Sequence, residues 1–192
     1  MTFGGEPLLC PDTVYEIMSA ARDVKVPVRQ VITNGYFSRS TERIREVAGM
    51  LSLCGVNDLL LSVDAFHQEI IPLDIVLEFA REVILKGVPT RLQPAWLVSA
   101  NDDNSYNVET RKILRKFSEL NIPISDGNII FPEGNAKRFL AEYFVRSAPE
   151  NPYVDDPLDV RCLSFSPSGD VLDGNVNSAD IMEIIKNYNP KE

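Results

Sequence analysis

The sequence predicts an α/β protein built as a partial parallel (β/α) barrel of about five strand–helix units, followed by a β-hairpin and a final helix. Two observations carry this. Short runs rich in β-branched residues alternate with longer segments of helical periodicity. The runs also begin near residues 31, 60, 91 and 128, a recurrence of about 30 residues, which is the length of one strand, one helix and their loops. Strands separated by a helix in each interval run parallel, with the helices outside.

The expected strand runs are Val28–Thr33, Leu59–Val63, Arg91–Val98 and Asn128–Phe131. The helical segments are Asp12–Val24, Thr41–Leu53, Leu73–Lys86, Val108–Leu120 and Gly134–Val145. In the third of these, Leu73, Val76, Leu77, Ala80, Val83 and Ile84 fall at three- and four-residue steps and so share one face, which packs on a sheet. Asp12 after Pro11, and Ser40-Thr41-Glu42-Arg43, supply N-terminal caps, while Gly55 and Gly87 stand where helices end. Thr2-Phe3-Gly4-Gly5 reads as the tail of a strand ahead of a complete helix. The rhythm covers residues 1–148 and breaks over 149–192, an acidic connector followed by a hairpin of Val160–Phe165 turning at Pro167-Ser168-Gly169 and a helix over Ser178–Tyr188.

Charge excludes some partners. Lys and Arg number 19 against 28 Asp and Glu, and the net charge of -9 repels a phosphate backbone, so nucleic acid is not an expected partner. The acids from Glu150 through Asp155, Asp156 and Asp159 read as a solvated connector. No run approaches the about 20 apolar residues that span a bilayer, and the N-terminus lacks a signal peptide's basic segment and apolar run. No membrane partner and a cytoplasmic location are expected. Cys10, Cys54 and Cys162 are scattered and odd in number, which builds neither a disulfide framework nor a CxxC knuckle.

Ligands gather at the carboxyl ends of parallel strands, so the residues that follow each run are the site candidates. Gly4-Gly5-Glu6-Pro7 comes first: glycines let the backbone approach a ligand, Glu6 adds an acceptor and Pro7 stiffens the turn. Thr33-Asn34-Gly35 ends the next run, and Ser62-Val63-Asp64 the one after, with Ser62 and Asp64 spaced by two and therefore on one face of a strand. Asp64 is either a ligand contact or the cap of a loop or helix. Pro132-Glu133-Gly134-Asn135-Ala136 closes the last run.

Taken in this order, the segments resemble those of radical S-adenosylmethionine (SAM) enzymes: a GGEP segment, a TNG-like strand end, an S-x-D strand end and a P-x-G-x-A turn. The resemblance implies that the exposed backbone at Gly4, Gly5, Glu6 and Pro7 receives the methionine ammonium. It also implies that Asn34, Ser62 and Asp64 belong to the SAM site, with Ser62 and Asp64 on ribose or carboxylate. SAM, a four-iron four-sulfur cluster and an unknown substrate are implied for a parent protein that generates a 5′-deoxyadenosyl radical. The CxxxCxxC loop that holds the cluster is absent, so no cluster is expected on this chain, which reads as an N-terminally truncated barrel, inactive alone. Its open edge at Thr2–Gly5 invites self-association. A second reading is a noncatalytic ligand- or protein-binding module, and a third an unrelated enzyme using Asp64, His67 and Arg91.

Three other features have competing explanations. His67, the only histidine, is either an acid or base facing substrate or a loop residue packed beside Phe66. Trp96 and Tyr106 are either a substrate wall or ordinary packing. Gly169–Asp180 echoes a calcium loop, but counting from Asp170 places Leu172, Gly174 and Ile181 where oxygen ligands belong.

Overall fold

The computed structural model describes residues 1–151 and 156–190, which fall into two compact units, 1–149 and 150–192. Asp155, part of the expected acidic connector, lies outside the described residues.

In the first unit the order is α1 (Pro11–Asp23), β1 (Gln30–Thr33), α2 (Thr41–Leu53), β2 (Asp58–Ser62), α3 (Ala65–Gln68), α4 (Leu73–Leu85), β3 (Thr90–Gln93), β4 (Ala95–Leu97), α5 (Ser105–Arg115), β5 (Asn128–Ile130) and α6 (Gly134–Phe139). The alternation follows the apolar periodicity closely, and the local caps explain the ends. Ser40 accepts from the Arg43 amide at the start of α2, and Asn104 accepts from the Asn107 amide, which starts α5 three residues earlier than its apolar pattern does. The expected helix over Gly134–Val145 breaks after Phe139 into a 3-10 turn at Ala141–Phe144.

Parallel β1, β2 and β3 form one sheet, in that order, with Val31 opposite Leu59 and Leu61 opposite Leu92. One face of it is the core. Val31, Leu59, Leu61 and Leu92 are fully buried against Ile44, Val47, Ala48 and Leu51 of α2 and Val76, Phe79, Ala80 and Val83 of α4. Burial of each such side chain contributes about 1.5–3 kcal/mol. The alternate residues carry a polar row on the other face, where Asp58 accepts from Gln30 and, through both oxygens, from Arg91.

The expected barrel is not formed. The strands lie in three separate small sheets: β1–β2–β3, β4–β5, and an antiparallel pair in the second unit. None is closed or curled on itself. The expected single strand over Arg91–Val98 is interrupted by Pro94, which has no N–H to give to a ladder, so β3 pairs with β2 while β4 pairs in parallel with β5. Thr2 contributes one isolated bridge to Val31, and Ile124 one to Leu92. A barrel needs every strand partnered on both sides with consistent stagger, which strands of three to five residues split in this way do not supply. The self-association expected through a barrel edge at Thr2–Gly5 loses its basis with the barrel.

The second unit contains β6 (Asp170–Val171), β7 (Gly174–Asn175) and α7 (Ile181–Asn187). Its hairpin lies beyond the Val160–Phe165 run expected to form it, because the turn is made by Leu172 and Asp173, Leu172 with a positive φ of 53°. Asp180 caps α7 by accepting from the Met182 amide. Ile184 of α7 packs so closely over Gly174 that a Cβ there would stand 2.9 Å from it.

Gly127 carries the chain past Pro94 and Trp96 with φ of +78°, and a Cβ at this position would stand 2.4 Å from the Pro94 carbonyl oxygen and 2.8 Å from Trp96 Nε1. Gly127→Ala is expected to cost about 1–3 kcal/mol, read as a lowered urea midpoint at unchanged slope. Gly87→Ala, equally left-handed but facing open space, isolates the backbone part and should lose only about 1 kcal/mol. Equal losses in the two variants would show that the close approach to Pro94 is not limiting.

Candidate strand-end site

Two carboxylates organise the carboxyl ends of β1 and β2. Glu6 precedes the 3-10 turn Pro7–Leu9, its Oε1 accepting from the Leu8 amide at 2.9 Å and from the Thr33 hydroxyl at 2.7 Å, while its Oε2 accepts from the Asn34 amide at 2.8 Å. The Thr33 hydroxyl in turn accepts from the Gly35 amide, and Asn34 Oδ1 from the Tyr36 amide. The N-terminal segment is thereby fastened to the end of β1. Gly4 and Gly5 just before it are exposed, with φ of +92° and +55° and no atom within 4 Å of a notional Cβ, so their backbone is open to solvent.

Asp64 is fully buried. Its Oδ1 accepts from the Phe66 and His67 amides, both at 3.0 Å, and caps α3; its Oδ2 accepts from the Ala95 amide at 3.0 Å and meets His67 Nδ1 at 2.8 Å. Of the two roles open to Asp64, the cap is therefore present. Further ties hold α3 in place: Gln68 Oε1 accepts from the Asp64 amide, Thr110 Oγ1 of α5 accepts from the Ala65 amide, and Phe66 stacks on Tyr106 at 4.6 Å.

His67 donates through Nδ1 to Asp64, which leaves Nε2 as the ring nitrogen turned away from that bond, on a side chain 36% exposed. Burial opposes its charge, but the hydrogen bond to Asp64, the charge of Asp64 and that of Glu6 outweigh it and raise the pKa above the ordinary histidine value. Because the folded chain holds this proton more tightly than the unfolded chain, the protonated pair stabilises the fold below pH of about 6.5, and the stabilisation is lost as pH rises through the folded pKa.

Ser62, the last residue of β2, is half-buried on the polar face beyond Leu60. Gly134 opens α6 with φ of +51°. Arg91 does not join this group. It is bound to Asp58 at the opposite end of β2, six residues from Asp64, or roughly 20 Å of extended chain. The trio Asp64, His67 and Arg91 is thus not assembled. Trp96 is buried and donates Nε1 to the Asp126 carbonyl, and Tyr106 stacks on Phe66, so neither joins the strand-end carboxylates. Sequence reasoning marked Thr33 only as part of the Thr33-Asn34-Gly35 strand end, and missed Gln68 and Thr110, whose side-chain oxygens accept from the Asp64 and Ala65 amides. No motif marked these two, and the Thr110 partner, 45 residues away, is brought close only by folding.

The SAM and cluster chemistry implied by resemblance finds no matching residues. Cys10 and Cys162 are exposed and Cys54 is buried, all three as free thiols, and among the described residues no group of three His, Cys, Asp or Glu side chains could hold a metal ion. Glu6, expected at a ligand ammonium, is already engaged by three protein donors. Together with the separate, unclosed sheets, this overturns the assignment to the radical SAM enzymes, along with its radical reaction, its cofactors and its substrate. Comparison with protein-family models and with curated proteins finds no match to this chain.

Near Gly169–Asp180, the Asp170 carboxylate accepts from Ser168, Ser166 and Asn175, which pull its pKa down to about 2. Its oxygens are satisfied within the hairpin. Among the described residues, no helix is long and apolar enough to cross a membrane.

The single histidine makes the central pair directly measurable. Its imidazole proton resonances should titrate with a midpoint above 6.5, and Asp64→Asn should lower that midpoint, since it removes the charge while keeping the side chain's size. The same variant sets an amide NH2 against the buried Ala95 N–H and should destabilise by about 1–3 kcal/mol. A midpoint at or below 6.5 in the parent chain would contradict the pairing.

Proposed function

We propose that the chain is a noncatalytic ligand-binding module whose site is the strand-end rim formed by Gly4, Gly5, Glu6, Pro7, Asn34, Ser62 and Asp64, with His67 at its margin. One observation carries the reading: both rim carboxylates are spent on protein donors, Asp64 filled by four and Glu6 held by three. Asp64 is not left to act as nucleophile, base or metal ligand, and Glu6 keeps room for one further donor at Oε2. What remains for a ligand is mainly neutral hydrogen-bonding capacity: the open backbone of Gly4 and Gly5, Asn34 Nδ2 and the Ser62 hydroxyl, with His67 Nε2 as the one group whose charge the site favours.

Such groups orient a small polar molecule without transforming it. Glu6 and Asp64 serve as the frame, holding the N-terminal segment, β1, β2 and β4 at fixed spacing so that the free groups are preorganised. Pro7 restricts the turn that follows the glycines. The cytoplasm is the location that suits three free thiols in a chain without a membrane-spanning helix among its described residues.

The reading is tested by amide NMR titration of the intact chain with a panel of small polar fragments. Shifts should map to Gly4–Glu6, Asn34–Tyr36 and Ser62–His67. Each hydrogen bond contributes about 0.5–1.5 kcal/mol, so Asn34→Ala or Ser62→Ala should weaken a hit by roughly 2- to 10-fold with the fold intact. Shifts confined to other surfaces, or hits indifferent to both substitutions, would refute the assignment.

A further inference from the structure

We propose that a second site, distinct from the strand-end rim, lies in the groove between α5 and the β3–β4 segment, and that it takes a small amphipathic carboxylate: an aliphatic chain of medium length ended by a single anionic group. The groove encloses about 390 Å³, within the range of about 300–1,000 Å³ usual for small-molecule sites. Its floor and walls are Leu92, Trp96, Leu114, Phe117 and Ile122, all buried, with Ile124 at the mouth 54% exposed.

The polar atoms at the rim decide the ligand's chemistry. Trp96 Nε1 is already donated to the Asp126 carbonyl, so the indole offers the groove only apolar surface. Arg111 is occupied by the carbonyls of Ala100 and Asp102 and by the Asp103 carboxylate. Arg115 and Ser118 remain, and among the described residues neither side chain has an ion pair or hydrogen bond. Both donate, and one is a permanent cation. An apolar floor bordered by an unpaired guanidinium and a hydroxyl complements an apolar body with one carboxylate. It does not complement an amine, and it offers a neutral alcohol less than it offers an anion.

Trp96, the only tryptophan of the chain, reports on the groove from within it. Its emission is to be titrated with octanoate, octanol and octylammonium, and octanoate binding repeated by calorimetry. Octanoate should shift the emission saturably and bind more tightly than octanol, with octylammonium weakest. Arg115→Gln, at an exposed position, should lower octanoate affinity about tenfold or more, to near that of octanol, and leave octanol unchanged. Ile124→Glu, also exposed, should abolish binding of both by placing a carboxylate over the mouth. Circular dichroism of each variant checks the fold. Equal affinities for octanoate and octanol, an Arg115→Gln variant that binds octanoate as the parent does, or the absence of any saturable change would each overturn the proposal.

Discussion

A single buried carboxylate ties the end of β2 to α3 and to the start of β4. Taking Asp64 out of water would cost several kcal/mol were it left alone, and it is tolerated because donors fill both of its oxygens. Two of those donors are the Phe66 and His67 amides in the first turn of α3, one is the Ala95 amide that opens β4, and one is the His67 ring. The chain therefore cannot move α3, β4 or the imidazole independently without stranding a charge in the core. A strand end, a helix start and a neighbouring strand become one rigid corner.

Glu6 repeats the device at lower burial, fastening the segment before α1 to the end of β1. The two carboxylates thus act on the backbone. The groups they leave exposed are uncharged, apart from a histidine whose proton they favour. This division between charged frame and neutral contacts is what directs the functional reading toward binding.

Pro94 determines the architecture in the other direction. A residue without an N–H between Gln93 and Ala95 ends one ladder and lets the next begin, so parallel pairing passes from β2–β3 to β4–β5 without becoming one continuous sheet. The apolar face is covered by α2 and α4. The opposite face carries the Gln30, Asp58 and Arg91 row beside the buried Leu60, short of the full second apolar layer that parallel sheets usually bury.

The sequence by itself determined the alternation of strands and helices, because periodicity and capping are local: Thr41–Leu53 is the helix its apolar steps and Ser40 cap require, and Leu73–Leu85 falls one residue short of its pattern. It also marked Glu6, Asn34, Ser62 and Asp64 as strand-end residues, since position after an apolar run can be read along the chain. Closure was not local. Whether short parallel strands curl into a barrel depends on stagger and pairing between distant segments, and the resemblance that supplied a barrel supplied a chemistry with it. Only the tertiary structure decided that Asp64 faces Ala95 and His67, that Glu6 is spent on Thr33 and Asn34, and that Arg91 belongs to Asp58. Each of these is a contact across 27 or more residues except the His67 pair, and a hydrogen bond's partner over such a span is chosen by packing, not by spacing in the chain.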